Sequence, residues 1–206
     1  MVKDEALAAD DGSEYAFRPS LLGAPRQFRL TDDAIEWVHG TRAGRVPFGD
    51  IRRVRLSYRP ASMQSQRYLT EVWSDRAPKL EIVSSSWKSM VEQQRLDRHY
   101  SAFIAELHRR LARDGGERIV FQSGSNPVLY WPGVAIFAAV AAALTLMLAR
   151  ALIDGAFVAA LVVAGFFGLF IWQSGNFFRR NRPGRYRPDA PPAVLLPGLE
   201  APRIVS

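Results

Sequence analysis

Residue types that commonly perform chemistry are few in this chain, and they do not form known catalytic or metal-binding patterns. The three histidines, His39, His99 and His108, lack the HExxH motif and the i, i+4 spacing that would place two imidazoles on one helix face. Surface or edge positions are therefore expected for them. The chain has no cysteine, which excludes thiolate metal sites, cysteine nucleophiles and disulfides. We expect no metal or other cofactor.

Serine nucleophile and phosphate-binding motifs are also missing from the sequence. No GxSxG, GxxxxGK[ST] or GxGxxG pattern occurs. The run Ser84-Ser-Ser86 precedes a predicted helix, and serine oxygens often accept hydrogen bonds from free N–H groups there, so we interpret it as a turn and helix N-cap. Glu92 and Asp97 are expected on a charged helix surface without a partner for acid–base catalysis. These patterns predict that the protein is not an enzyme.

One group of basic residues has a spacing that suits binding. Residues 51–59 alternate, which predicts a strand with Val54, Leu56 and Tyr58 on one face and arginines on the other. Beneath an anionic leaflet, such arginines could bind phospholipid headgroups at about 1 kcal/mol each. A solvated sheet face is the ordinary alternative, and the sequence leaves both open. The candidate contacts with anionic lipid or a partner are Arg45, Arg52, Arg53, Arg55 and Arg59.

The elements that must position these residues change in character along the chain. Residues 1–20 begin with an acidic segment that lacks the apolar core of a signal peptide, so they are predicted to be a disordered leader. From residue 26 a period of two predicts several strands, whereas residues 89–113 have helical periodicity. The apolar stripe of that helix is Tyr100, Phe103, Ile104, Leu107 and Leu111. Antiparallel strands followed by one amphipathic helix predict an α+β fold, in which the helix caps a curved sheet or small barrel.

The same region resembles a known family. The motifs that carry the resemblance are Phe28-Arg-Leu-Thr31, Ile35-Glu-Trp37, Val46-Pro-Phe-Gly-Asp-Ile51, Tyr58-Arg-Pro60, Leu80-Glu-Ile82, Trp87 and Tyr100-Ser-Ala-Phe-Ile104. Over roughly residues 20–115 they resemble a bacterial pleckstrin-homology-like (PH-like) domain, in which a C-terminal helix closes a β-barrel. The resemblance implies a PH-like domain at residues 21–121 that binds or scaffolds, with no catalytic residues to carry over. Many membrane members of the family place their helices before the domain, whereas here they follow it.

Two uncharged apolar runs come after a linker at residues 122–127. They span residues 128–149 and 155–173, and at about 1.5 Å per residue both approach or exceed the roughly 30 Å of a hydrocarbon core. Only Arg150 and Asp154 carry charge between them. The runs predict a transmembrane helical hairpin. A buried hairpin in a soluble protein is the alternative, but two adjacent uncharged runs of this length rarely fit inside so small a globule.

Charged and aromatic residues near the apolar runs predict the orientation of the hairpin. Arginines cluster directly after the second run, and positive charge near membrane ends is retained on the cytoplasmic side. No export signal is expected to carry the front domain across the membrane. Both termini are therefore predicted to be cytoplasmic, with the hairpin in the bacterial inner (plasma) membrane. The predicted anchors of orientation and depth are Trp131, Trp172, Arg179, Arg180, Arg182, Arg185 and Arg187.

Small residues recur every four positions in both apolar runs. In lipid no hydrophobic effect drives helix association, and small residues let helix backbones approach closely. The stripes could pack the two helices together, serve a homo-oligomer, or follow by chance from an alanine-rich composition. The predicted helix–helix packing residues are Ala135, Ala139, Ala143, Ala156, Ala160, Ala164 and Gly168.

The net charge of +7 is unevenly divided along the chain. Residues 1–127 contain 20 basic and 17 acidic residues, whereas residues 174–206 contain six arginines and two acidic residues. A membrane explains this distribution better than a nucleic-acid partner, which we do not expect.

Since six of the 13 prolines fall in the last 24 residues, residues 174–206 are predicted to be a basic, proline-rich, mobile tail. Its apolar stretch 193–199 could dock as an added strand, although a non-binding tail is favoured.

Together these patterns predict an integral inner-membrane protein with a cytoplasmic PH-like domain, acting as a non-catalytic, membrane-anchored binding or scaffolding module. Its partners would be the lipid bilayer and a protein that the sequence does not identify. The alternative is a small accessory subunit of a transporter or envelope-synthesis complex that acts through its hairpin. Thr145 is the one candidate polar residue in mid-membrane, which is too few for a conduction path.

Overall fold

The computed structural model describes residues 11–20, 22–60, 66–87, 93–113 and 118–197 of the chain. The chain divides into two compact units. The first unit comprises Met1–Ser123 and Gly184–Ser206, and the second is the intervening Gly124–Pro183. Within the described residues the first unit combines strands with one helix and the second consists of two long helices, so the predicted α+β fold class is confirmed.

The secondary structure of the described residues runs in the following order. The strands are β1 (Glu14–Phe17), β2 (Arg26–Leu30), β3 (Ala34–His39), β4 (Arg42–Pro47), β5 (Ile51–Tyr58), β6 (Tyr68–Ser74), β7 (Leu80–Val83), β8 (Ser85–Trp87), β9 (Gln93–Arg95), β10 (Val120–Ser123) and β11 (Gly184–Arg185). The helices are α1 (Asp97–Arg113), α2 (Pro127–Ile153) and α3 (Phe157–Arg180). Single 3-10 turns occupy Phe48–Asp50 and Ala193–Leu195.

The first sheet is antiparallel, with the order β1-β2-β3-β4. Its first strand lies within the segment that was predicted to be a disordered leader. That prediction is wrong for residues 14–17, because Tyr15 and Phe17 are buried in the core while β1 pairs along its whole length with β2. A strand of four residues is too short for a period-two pattern to identify. Residues 1–10 of the predicted leader lie outside the described residues.

The second sheet has the order β11-β10-β5-β6-β7. Its strands are antiparallel except for β10, which runs parallel to β5 and pairs Phe121 with Val54. The sheet is therefore mixed, which corrects the prediction of purely antiparallel strands. The two larger sheets are separate in their hydrogen bonding, and the described strands do not close into a barrel.

The serine run Ser84-Ser-Ser86 does not cap a helix. The Ser84 hydroxyl accepts a hydrogen bond from the backbone N–H of Tyr68 (3.0 Å), and the next residues form β8, which pairs with β9. Helix α1 begins only at Asp97. The N-cap interpretation was wrong because the segment is recruited by neighbouring strands, which periodicity alone does not reveal.

Helix α1 closes the core of the first unit. The predicted apolar stripe is correct, since Tyr100, Phe103, Ile104, Leu107 and Leu111 are all fully buried. The stripe packs among side chains from both larger sheets, including Phe28 and Leu56. The buried hydroxyl of Tyr100 lies 2.6 Å from that of Thr70, so the helix is also tied to β6 by a hydrogen bond within the core.

The segment from Gly184 to Pro197 belongs to the first unit, which corrects the prediction of a mobile tail. Leu195 and Leu196 are 1 % and 2 % exposed and are part of the hydrophobic core. The Ser101 hydroxyl donates a hydrogen bond to the carbonyl of Pro197. An added strand does form, but it is β11 and not the predicted stretch 193–199, which begins with a 3-10 turn and has its last residues outside the described part.

The second unit contains two helices that are long and apolar enough to span a membrane. Helix α2 has 27 residues and α3 has 24, which correspond to about 40 Å and 36 Å. Helix α2 extends beyond the predicted run 128–149 at both ends, whereas α3 begins two residues later and ends seven residues later than the predicted run 155–173. Asn126 caps α2 by accepting a hydrogen bond from the N–H of Val128, and Pro127 occupies the first turn, where its missing N–H costs nothing.

Candidate functional site

The face of the second sheet that points away from the core carries most of its charge. Val54 and Leu56 of β5 are fully buried, so the alternating residues Arg53, Arg55 and Arg59 lie on the opposite side. Residues that pair across strands share a face, which adds the neighbours of these arginines on β6, β10 and β11; Lys79, just before β7, joins them by its contact with Trp73. We call this surface the basic face; its defining residues are Arg53, Arg55, Arg59, Arg67, Trp73, Lys79 and Arg185.

Trp73 lies at the centre of three cations on the basic face. It pairs with Arg53 across β5 and β6, and the Arg53 guanidinium is 5.4 Å from the indole centroid. The corresponding distances are 5.2 Å for Arg55 and 5.8 Å for the Lys79 ammonium. The electron-rich ring attracts each cation, typically by about 0.5–1 kcal/mol at exposed sites. The indole thereby offsets part of the repulsion between like charges held close together.

The two carboxylates on this surface both form ion pairs with one lysine. Lys79 Nζ is 2.9 Å from Glu71 and 2.6 Å from Glu81, and these hydrogen bonds, first to Glu81 and then to Glu71, raise the lysine pKa. Arg55 instead donates to the side-chain oxygen of Gln122 at 2.8 Å. Among the described residues no carboxylate forms an ion pair with Arg53, Arg55, Arg59, Arg67 or Arg185.

Arg59 and Arg67 lie at one end of the basic face. Arg59 directly follows β5 and Arg67 directly precedes β6, and the backbone pairing of the two strands continues between them. The N–H of Arg59 donates to the carbonyl of Arg67 (2.8 Å), and Arg67 Nε donates back to the carbonyl of Arg59 (3.1 Å). Burial, followed by the nearby charge of Arg59, lowers the pKa of Arg67. Two guanidinium groups are therefore held side by side by the backbone, and among the residues described the charge of Glu81 acts on both without forming an ion pair with either.

Two of the five arginines predicted as contacts do not belong to the basic face. Arg45 lies on β4 in the other sheet, where its guanidinium is 2.6 Å from both oxygens of Asp33. Arg52 is displaced by a bulge at the start of β5 and donates to Asp75 at 2.7 Å. These hydrogen bonds lower the pKa values of Asp33 and Asp75. The prediction therefore holds as a shared surface only for Arg53, Arg55 and Arg59.

Four residues of the basic face were missed by sequence reasoning: Arg67, Trp73, Lys79 and Arg185. A hairpin register between residues 51–59 and 66–74 would have placed Trp73 opposite Arg53 and Arg67 opposite Arg59. That register depends on where the ladder begins, which the sequence does not specify. Arg185 joins the face only because β11 pairs with β10, with Arg185 opposite Gln122.

The predicted membrane anchors occupy different elements. Trp131 and Trp172 are 63 % and 72 % exposed on α2 and α3, which keeps them available to an interface. Arg179 and Arg180 are in the last turn of α3, where cations interact favourably with the negative end of the helix dipole. Arg182 follows the helix, whereas Arg185 belongs to the second sheet and Arg187 lies just after β11. Their effect on orientation remains a prediction.

The contact between α2 and α3 is aromatic. The ring of Phe137 stacks on that of Phe170 with centroids 5.1 Å apart and also contacts Phe178 at 5.3 Å. Ala160 is buried, but the other predicted packing residues are exposed; they are Ala135, Ala139, Ala143, Ala156, Ala164 and Gly168. Within this hairpin the small-residue stripes therefore lie mostly outside the contact. Their alternative use in a homo-oligomer remains a prediction.

The ends of the hairpin are held together within each unit. In the first unit Ser123 of β10 pairs with Gly184 of β11. In the second unit the N–H of Ser125 donates to the carbonyl of Asn181 (2.9 Å). Gly124 has a φ of +77°, and a Cβ there would lie 2.3 Å from the carbonyl oxygen of Arg182, so both its conformation and its surroundings require glycine.

The histidines have structural surroundings. His108 is 1 % exposed, which differs from the surface or edge position predicted for it. His39 packs against Trp37 and Phe28, with ring centroids 4.8 Å and 5.6 Å away. In the described part of the chain, no group of three His, Asp or Glu side chains is placed to hold a metal ion.

Comparisons with known proteins add no assignment. The chain matched no protein-family model, no curated protein and no solved structure. A functional assignment therefore depends on the basic face and on the paired strands at the ends of the hairpin.

Proposed function

We propose that this chain is an integral protein of the bacterial inner membrane whose PH-like domain is a non-catalytic binding or scaffolding module at the cytoplasmic surface. The observation that carries the proposal is the pairing of Ser123 with Gly184. The strands that lead into and out of the helical hairpin are neighbours in one sheet of the first unit. Two membrane crossings return the chain to the side on which it started, as this pairing requires.

Lipid is the solvent that best fits the surface of the hairpin. No residue of α2 is buried, and in α3 only Ala160 is. Leu146 and Leu161 are 71 % and 75 % exposed, and Phe166 is 67 % exposed. Soluble proteins rarely expose contiguous apolar surface of this extent, whereas membrane helices must do so.

Charge supports a cytoplasmic location for the first unit. Arg179 and Arg180 in the last turn of α3, and Arg182 just after it, lie at the end of the hairpin that returns to the first unit. At the opposite end Arg150 pairs with Asp154 at 3.0 Å and adds no net charge. Since positive charge near membrane ends is retained in the cytoplasm, the domain and both of its connections are assigned to that side.

A binding role is supported by the basic face. Its arginines lie next to a tryptophan at the surface of the sheet, and arginine and tryptophan are enriched in recognition surfaces. The PH-like interpretation is supported by sheets whose core is closed by α1. Two features depart from the pattern expected for that family, namely the parallel strand β10 and the return of residues 184–197 into the core.

Labelling of single cysteines tests the proposed topology, because the natural chain has no cysteine and therefore no background. The variants Ser20→Cys and Asp189→Cys place a thiol at exposed sites of the first unit, and Ile153→Cys places one at the hairpin turn, where Ile153 is 82 % exposed. With a membrane-impermeant maleimide on intact spheroplasts, only Ile153→Cys should react. The other two should react after permeabilisation.

Two results would contradict the proposal. Reaction of Ser20→Cys or Asp189→Cys in intact spheroplasts would place the domain outside the cytoplasm. Release of the full-length protein from vesicles by alkaline washing would show that the hairpin is not embedded in lipid.

A further inference from the structure

We propose that the basic face binds the acidic phospholipid headgroups of the leaflet from which the hairpin enters the membrane. The inference rests on the proposed function, because only a membrane-anchored domain is held permanently beside a leaflet. The group recognised is the negatively charged phosphodiester of the lipid. Binding would hold the first unit in one orientation against the membrane surface.

The first support is the charge of the surface. The basic face carries six cations, and the two carboxylates beside them, Glu71 and Glu81, are both engaged by Lys79. The surface therefore has an excess of four positive charges, most of them on arginines that lack an acidic partner among the described residues. The planar guanidinium group binds phosphate oxygens through two parallel hydrogen bonds, which suits it to phosphodiester recognition.

The second support is the position of the arginines relative to the chain that enters the hairpin. Strand β5 runs parallel to β10, and Leu56 is paired with Ser123, the last residue of β10. Arg59, directly after β5, lies three residues beyond Leu56, which at about 3.3 Å per residue is about 10 Å beyond the end of β10. Arg59 and its neighbour Arg67 therefore occupy the end of the sheet from which the chain leaves toward α2.

The third support is the shortness of the connections. Only residues 124–126 separate β10 from α2, and residues 181–183 separate α3 from β11. Even fully extended, four peptide units span less than about 15 Å. The attraction of a basic residue to an anionic surface acts over a Debye length of about 8–10 Å in physiological salt. The connections are therefore of the same order as this range, which allows the end of the sheet that carries Arg59 and Arg67 to approach the headgroups.

The experiment measures how close the basic face comes to the headgroups of the lipid. Full-length protein with Val120→Cys, a residue opposite Arg53 that is 38 % exposed, is labelled with a fluorophore and placed in lipid nanodiscs. All nanodiscs contain the same fraction of headgroup-nitroxide phosphatidylcholine as quencher. One set is otherwise neutral phosphatidylcholine, and the other contains one third phosphatidylglycerol. Quenching should be stronger in the acidic nanodiscs and should fall to the neutral level in 0.5 M salt.

Two triple variants test which arginines cause the stronger quenching in acidic nanodiscs. In Arg55→Gln/Arg59→Gln/Arg67→Gln, the ratio of docked to undocked domain should fall by about fivefold for each arginine removed. The control Arg29→Gln/Arg45→Gln/Arg52→Gln loses the same charge from ion pairs with Glu14, Asp33 and Asp75, and it should retain the full effect. If the first variant does not fold by circular dichroism, the response of the Val120→Cys protein to acidic lipid and salt still decides.

Other outcomes would overturn the inference. Equal quenching in neutral and acidic nanodiscs would do so, as would equal losses in the two triple variants. If the fluorophore at Val120→Cys were shielded from solvent in native vesicles but in neither kind of nanodisc, the basic face would be assigned to a protein partner instead. Failure of the proposed function has a different signature, since the full-length chain would then be extracted by alkaline washing whatever the behaviour of the probe.

Discussion

His108 lies in the core of the first unit with both ring nitrogens hydrogen-bonded. Its Nδ1 is 2.7 Å from the carbonyl oxygen of Ile104, which can only accept, so Nδ1 carries the proton and donates. Nε2 then accepts from the hydroxyl of Tyr186 at 2.9 Å. Burial lowers the pKa of His108 to about 4. The ring is therefore neutral in the folded protein at physiological pH.

The stability of the first unit should consequently decrease in mild acid. The pKa of histidine in an unfolded chain is about 6.5, so between pH 6.5 and 4 the unfolded state binds a proton that the folded state does not. Lowering the pH from 7 to 5 should reduce the free energy of unfolding by about 2 kcal/mol through this residue. Denaturant titrations of the full-length protein in detergent at the two pH values measure the effect.

His108→Gln should remove most of this dependence, whereas His99→Gln, at an exposed position of α1, should leave it in place. An identical pH dependence in the His108→Gln variant and the natural protein would show that another group is responsible.

At the scale of elements, the segment after the hairpin completes the core that the front of the chain begins. Tyr186 packs on His108 and Phe121, with ring centroids 5.7 Å from both. Leu195 and Leu196 are buried in the same core, although about 80 residues of sequence separate them from α1. The polar and proline-rich composition of this segment suggests mobility, but its few apolar side chains are packed in the hydrophobic core.

Truncation of one of these leucines should therefore be as costly as truncation of a core residue. Leu195→Ala should lower the free energy of unfolding by about 2–5 kcal/mol, because it removes apolar contacts and leaves a cavity. The neighbouring Val194 is 54 % exposed, and Val194→Ala should change stability by less than about 0.5 kcal/mol. Chemical denaturation followed by tryptophan fluorescence compares the two. Equal stabilities would indicate that residues 193–197 are not packed in the core.

At the scale of the whole molecule, the hairpin is an insertion into a domain that has its own core. Every strand of the described chain belongs to the first unit, and the hydrophobic core cluster contains no residue of α2 or α3. Since Ser123 and Gly184 are directly paired, the chain could pass from one to the other through a two-residue turn. The domain is interrupted in sequence but continuous in space.

Replacement of residues 124–183 by Asn-Gly should therefore yield a domain that is soluble without detergent. Asn-Gly favours the tight turn that joins two antiparallel strands. We expect this chain to unfold cooperatively, as measured by circular dichroism. A matched chain that ends at Ser123 lacks β11, Leu195 and Leu196, and it should be insoluble or unfolded. If the two chains behave alike, the returning segment does not complete the domain.

Features of the fold and of the site that depend on residues close together in the chain could be predicted, whereas features that depend on distant residues could not. The apolar stripe of α1 and the two faces of β5 depend on residues a few positions apart, so periodicity identified them, and the two apolar helices were identified by the length of their uncharged runs. The basic face was only partly predicted. Arg53, Arg55 and Arg59 share a strand, but Trp73, Lys79 and Arg185 join them through pairing with distant strands. Arg45 is not part of the basic face because β4 lies in the other sheet, and Arg52 is not because the bulge at the start of β5 displaces it.

The sequence by itself determined that the chain has an α+β part and two helices able to span a membrane, because burial and helix length are properties of local composition and spacing. Only the tertiary structure decided that β1 is part of a sheet, that β10 lies parallel to β5, and that Leu195 and Leu196 return to the core. These features depend on strand register and on the shape of a cavity formed by residues far apart in the chain, and no local pattern encodes either of them.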